Sequence, residues 1–276
     1  MTILVFLLLV MAGMASGILA GLFGVGGGIL FAPLLLFLFQ SAGVPEPVLW
    51  TVGTSLFCNF MAALSSVIRH YQMGNVYVRE AVTMAVFGIA GTVAGRFIAT
   101  SPYYSEREFT LFFVAILLYS TFQFLRKKKQ TEVPVSDGSV KTQVMRIYQG
   151  PAIGFLSGIL AALAGVGGGI LMVPAMIILL GFEYRKAVSI SSAAIILITL
   201  SAWLQFSLLD PASSGLTGYH IGYLDFGAAL PIVGGSFFAA RYGVSLILSV
   251  RLRTLEIFFG LLLALVALRL IVGLAG

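Results

Sequence analysis

The sequence predicts an all-α polytopic membrane protein: two inverted repeats of about five membrane segments each, with glycine-rich hairpins that stop part-way across. Three observations predict it. Hydrophobic residues make up 59% of the 276-residue chain and charged residues 9%, with a mean hydropathy of +1.06; soluble domains carry roughly 25% charged residues. No charged side chain occurs in residues 1–45, 147–182 or 187–209, and those runs exceed the roughly 20 residues a membrane helix needs. Finally, GILAGLFGVGGGILFAPLLLF at 17–37 returns as GILAALAGVGGGILMVPAMII at 158–178, identical at 13 of 21 positions and 141 residues later.

Residues 2–23 form the first apolar segment. No Lys or Arg precedes Arg69, so the basic flank of a secretory signal is missing and the segment reads as a retained membrane helix. Segment 27–40 follows GVGGG; about 14 residues at roughly 1.5 Å each reach only about 21 Å of a roughly 30 Å core. The glycines are therefore the tip of a hairpin that returns to the side it left. Segments 48–68, 81–100 and 108–125 complete the first repeat, 1–125. The second repeat, 147–276, runs through 147–164, 168–181, 187–209, 223–241 and 254–274. Strands are excluded for these runs, which are long and lack period-two alternation. Between the repeats lies the polar linker 126–146, opened by Arg126, Lys127, Lys128 and Lys129.

Lys/Arg counting sets the expected orientation. With the linker cytoplasmic, thirteen basic residues fall inside, among them Arg69, Arg79, Arg185, Lys186, Arg241, Arg251 and Arg253. Three (Arg96, Arg107 and Arg269) fall outside. Both termini then face out, and an odd number of crossings per repeat inverts the second copy.

Three consecutive glycines inside a membrane segment cost helix stability, about 1 kcal/mol each relative to Ala. Two readings account for them. The chain can unwind at Gly24, Gly26, Gly27 and Gly28, and again at Gly165, Gly167, Gly168 and Gly169. The following helices then point free N–H groups and a partial positive charge at mid-membrane, which suits an anion. Alternatively the glycines permit tight helix crossing. Thr54 and Ser55 in one half resemble Ser191 and Ser192 in the other, and Asn59 lies one turn after Ser55. These side chains either add donors to an anion or bond back to their own helix. His70 and His220 each precede a fourth segment and are candidates for proton coupling, or simply interfacial residues. Gly91 to Gly95 before Arg96, and Ser236 to Ala240 before Arg241, read as helix-packing stretches with the arginines as interface anchors. Asp225 and Glu256 are the acids nearest membrane depth, neither central enough for a proton relay.

The exclusions narrow the class. The net charge of +6 reports orientation rather than nucleic acid. There is no G-x-x-x-x-G-K-[ST], no dinucleotide fingerprint, no H-E-x-x-H and no Cys/His cluster. No cofactor or metal is expected, and an enzyme is not. Cys58 is the sole cysteine, so paired-thiol chemistry is out.

The pattern G-x-x-x-G-x-x-G-[VI]-G-G-G-x-[LIF]-x-x-P from Gly17 to Pro33 returns from Gly158 to Pro174, with Ala162 in place of the glycine at 21. With the hydroxyl-rich stretches and the central basic loop, it resembles the sulfite exporter TauE/SafE family, also called the toluene sulfonate uptake permeases. The resemblance covers essentially the whole chain. It implies a prokaryotic inner-membrane permease for small sulfur-containing anions such as sulfite or organosulfonates, driven by an ion gradient. The expected mechanism is alternating access around an anion held between the glycine tips, with protons the candidate coupling ion. An anion channel and a non-transporting membrane scaffold remain the alternatives; the sequence does not fix the oligomeric state.

Overall fold

The computed structural model describes residues 3–24, 26–75, 77–125, 149–211, 213–246 and 252–275. The linker 126–146, with its basic cluster, lies outside the described residues, as do the side chains of Arg251, Arg253 and Glu256. Among the described residues ten helices follow in order: α1 Ile3–Phe23, α2 Gly28–Ser41, α3 Pro47–Gln72, α4 Val78–Ala99 and α5 Glu106–Leu125 in the first half. The second half has α6 Gln149–Ala164, α7 Gly169–Leu180, α8 Tyr184–Ser207, α9 Phe226–Leu246 and α10 Leu252–Ala275. Helix ends shift by up to five residues from the apolar runs, because polar turns such as Arg69-His70-Tyr71-Gln72 continue α3. The run expected to begin at 223 starts three residues later. A two-residue hairpin, β1 His220–Ile221 with β2 Leu224–Asp225, occupies its start.

Among the described residues, α1, α3, α4 and α8 are each long and apolar enough to cross a membrane. The outer faces agree: Leu4, Leu7, Met11 and Met14 on α1 are all at least half exposed, a patch suited to lipid rather than water. Helices α2 and α7, at 14 and 12 residues, are too short to cross alone.

Packing follows a two-fold exchange. α1 lies along α9, and its counterpart α6 lies along α4. Small residues make this possible: a Cβ on Gly17 would sit 2.5 Å from the Ser236 carbonyl oxygen, and one on Gly95 2.9 Å from that of Ile159. The packing stretches at Gly91–Gly95 and Ser236–Ala240 are thus confirmed, each against the first helix of the other repeat. α3 and α8 cross the centre antiparallel: Phe57 of α3 meets Trp203 late in α8, and Ser189 early in α8 donates to the oxygen of Asn75, just past the end of α3. Equivalent helices running in opposite directions make the repeats inverted. α5 and α10 pair with each other at the periphery.

Candidate functional site

Both glycine runs break the helix. Gly24 and Gly26 adopt φ of +60° and +77°, and Gly165, Gly167 and Gly168 adopt +69° to +81°, a region that favours glycine. α2 then starts after Gly27 and α7 after Gly168, and neither start has a side-chain cap. Each short helix carries a proline at the same place, Pro33 and Pro174. Proline has no N–H, so one carbonyl in the first turn loses its helical donor. The two helix starts are therefore polar ends inside an apolar bundle.

The breaks touch each other. A Cβ on Gly28 would lie 2.5 Å from Val166 Cα and 2.6 Å from the Gly165 oxygen. Asn59, fully buried, sits at the junction. Its Nδ2 donates to the Gly165 oxygen at 2.8 Å and to the Ser55 oxygen at 2.9 Å. Its Oδ1 faces Gly26, 2.8 Å from where a Cβ would be, and has no hydrogen-bond partner among the described residues. Gly167 packs on the other side, against Asn59, Ile195 and Thr199. No charged side chain is among these contacts.

The hydroxyls divide differently from the sequence alignment. Ser55 Oγ lies 3.1 Å from the Gly165 oxygen, and Ser191 Oγ donates to the Gly24 oxygen at 2.6 Å. The equivalent pair is Ser55 with Ser191, one across from each break. Thr54 instead faces the hairpin, accepting from the Asp225 N–H at 3.2 Å. Ser192 is buried with no partner. In this conformation the two break-facing serines hold carbonyls and offer no free O–H.

Sequence reasoning missed Ser16 and Ser157, which stand one residue before the repeat as it was delimited. Both are buried, both hydroxyls lack partners, and the Ser157 backbone packs on Gly168. Their equivalence 141 residues apart was the available signal. The histidines are not brought together. His70 is buried in the last turn of α3 with neither ring nitrogen bonded. His220 is half-buried in β1, edge-on to Trp50 at 5.3 Å, its Nδ1 3.2 Å from the Gly222 oxygen. Arg96 closes α4 half-buried, while the Arg241 guanidinium lies over the Phe237 ring at 5.6 Å. Asp225 is fully buried but structural: its carboxylate accepts from the N–H groups of Leu216, Thr217 and Ala228 and caps the start of α9. Among the described residues no group of three His, Cys, Asp or Glu is placed to hold a metal.

The family model described as sulfite exporter TauE/SafE matches residues 9–270, nearly the whole chain. The chain belongs to that family. A protein of Methanocaldococcus jannaschii named a probable membrane transporter is 30% identical over 242 residues, covering 87% of this chain and 85% of that one. A probable membrane transporter of Haemophilus influenzae is 28% identical over 268 residues, covering 96% and 97%. A TauE/SafE family protein of Arabidopsis thaliana is 30% identical over 108 residues, covering 38% of this chain and 24% of its own. No solved structure matches significantly. For this TauE/SafE member the glycine motif that carries the resemblance is also the point where the two repeats meet.

Proposed function

We propose that the chain is a secondary transporter for small sulfur-containing anions such as sulfite or organosulfonates, holding the anion between the two glycine breaks at mid-membrane. The observation that carries the reading is the junction at Asn59: two uncapped helix starts and one buried amide converge with no fixed charge nearby. Backbone N–H groups and helix dipoles attract an oxyanion without a buried full cation that would hold it too tightly to release. The site consists of Gly24, Gly26, Gly27, Gly28, Thr54, Ser55 and Asn59 with Gly165, Gly167, Gly168, Gly169, Ser191 and Ser192. Its core is Asn59 and the two breaks.

Transport parts the breaks. With the Gly28–Gly165 contact open, Ser55, Ser191 and Asn59 exchange a carbonyl for the anion, and rocking of the repeats exposes the site to each side in turn. The reading divides the chain into 1–125, a cytoplasmic linker 126–146 and 147–276, with both termini outside the cytoplasmic membrane. His70 is the coupling candidate of choice over His220, whose ring is already engaged. The channel and scaffold alternatives gain nothing specific.

A thermal-shift panel of sulfite, thiosulfate, sulfoacetate, taurine, sulfate and acetate tests the substrate class, because a ligand that binds only the folded state raises its melting temperature. A shift with a sulfur oxyanion and none with acetate supports the proposal. No shift with any anion removes the substrate assignment.

A further inference from the structure

A cavity of about 840 Å³ lies between α1, α2, α5 and α10, and the transport reading leaves it unused. Its lining is graded. Gln40 at the end of α2 and Glu106 and Arg107 at the start of α5 are polar; from Phe37 back to Leu30 the α2 lining is wholly apolar. Arg269 on α10 belongs to the polar end, its guanidinium 4.3 Å from the Phe37 ring centre. Ala12 and Ala15 on α1 leave the apolar part open.

Among the described lining residues two guanidiniums, Arg107 and Arg269, face one acid, Glu106, which accepts from Gln40 Nε2 at 2.8 Å; Glu108 lies beside Arg107 but outside the lining, its carboxylate held by Ser105. Neither Arg107 nor Arg269 forms an ion pair among the described residues. A small free anion leaves the apolar depth unfilled, and a zwitterionic lipid brings its own cation to two guanidiniums. We propose that this cavity holds one bilayer lipid with an acidic, phosphate-bearing headgroup. The phosphate sits between Arg107 and Arg269, and an acyl chain runs along α2 to Leu30 and Pro33, in its first two turns. Guanidiniums above an apolar groove match a charged headgroup and its acyl chain together, and Arg suits phosphate through its planar donor fork.

Native mass spectrometry of the detergent-purified protein, titrated with phosphatidylglycerol or phosphatidylcholine of matched chains, is the test. The expected result is one tightly held phosphatidylglycerol per chain, preferred by about fivefold or more, because phosphatidylcholine offers the same phosphate but sets its choline cation against the two guanidiniums. Arg107→Gln with Arg269→Gln abolishes the preference while keeping the lipid-free melting temperature. Ala15→Phe, which narrows the apolar part of the cavity and leaves both arginines in place, weakens retention of the lipid itself. Equal affinity for the two lipids in the unmodified protein overturns the proposal. So does a preference that survives the double substitution, retention unaffected by Ala15→Phe, or displacement by inorganic phosphate, which assigns the arginines to a free anion.

Discussion

Asn59 of one repeat donates to the carbonyl of Gly165 in the other, over 2.8 Å in a fully buried position. The inverted architecture supplies no equivalent bond in return. Gly24, the counterpart of Gly165, has Ser191 at its carbonyl, and Ile195 lies where the equivalence of Ser55 with Ser191 puts the counterpart of Asn59. The junction is thus symmetric in its backbone and asymmetric in its one amide.

Removing that amide leaves the Gly165 carbonyl to Ser55 alone. Asn59→Leu is expected to lower stability by about 0.5–1.5 kcal/mol, the range for a buried polar bond between membrane helices. Thermal unfolding in detergent reads this, and an unchanged midpoint contradicts the assigned bond.

The serines separate in sign. Ser191→Ala strips the Gly24 oxygen of its donor and should cost about 1–2 kcal/mol, with Ser55→Ala comparable or smaller. Ser192→Ala removes a buried hydroxyl that bonds nothing, so it should be neutral or stabilising. Equal losses at 191 and 192 would restore the alignment read from sequence.

Glycines of α1 and α9 give a control pair. Gly17→Ala drives a Cβ to 2.5 Å from the Ser236 oxygen and is expected to cost about 2 kcal/mol or more. Gly234→Ala meets nothing within 4 Å in an exposed helical position and should be neutral or stabilising by up to about 1 kcal/mol. Melting temperatures of the two variants in the same detergent decide it.

Alkaline pH acts through the loops. Burial pushes the Tyr223 hydroxyl above its ordinary range, and the hydrogen bond to Glu46 and that group's charge push it further. Burial, then Glu108, does the same to Tyr104. A folded-state value raised above the unfolded one keeps its full stabilising effect below the ordinary tyrosine value near pH 10, and the effect is lost as pH climbs past it. Stability should fall above about pH 10, and Tyr223→Phe should remove part of that slope. A slope identical in Tyr223→Phe rules this residue out as its source.

The repeat and the helix breaks were legible because they are written locally, in identical glycines and in charge-free runs. The register between α3 and α8 was not. Gly24 and Gly165 stand 141 residues apart, but Ser55 and Ser191 only 136. α7 and the turn after it are shorter than α2 and its turn, so matching Thr54-Ser55 to Ser191-Ser192 slipped by one. The partners of the packing glycines were also hidden. Gly17 shows a need for close approach, yet only the folded chain sets Ser236 against it. Asn59 was found from its helical spacing to Ser55, whereas its contact with the opposite break had no local signal.

The central claim is that an anion crosses through the Asn59 junction. Saturable flux of radiolabelled sulfite into proteoliposomes measures it directly, with Asn59→Leu and Gly28→Ala as the informative variants; a Cβ at Gly28 would meet Val166 and Gly165 of the other break. The account predicts saturable flux in the unmodified protein, accelerated by a pH gradient and reduced at least about tenfold in both variants at matched folded protein, a loss of roughly 1.4 kcal/mol. Saturable sulfite flux that persists unchanged in folded Asn59→Leu and Gly28→Ala would place the pathway elsewhere in the bundle.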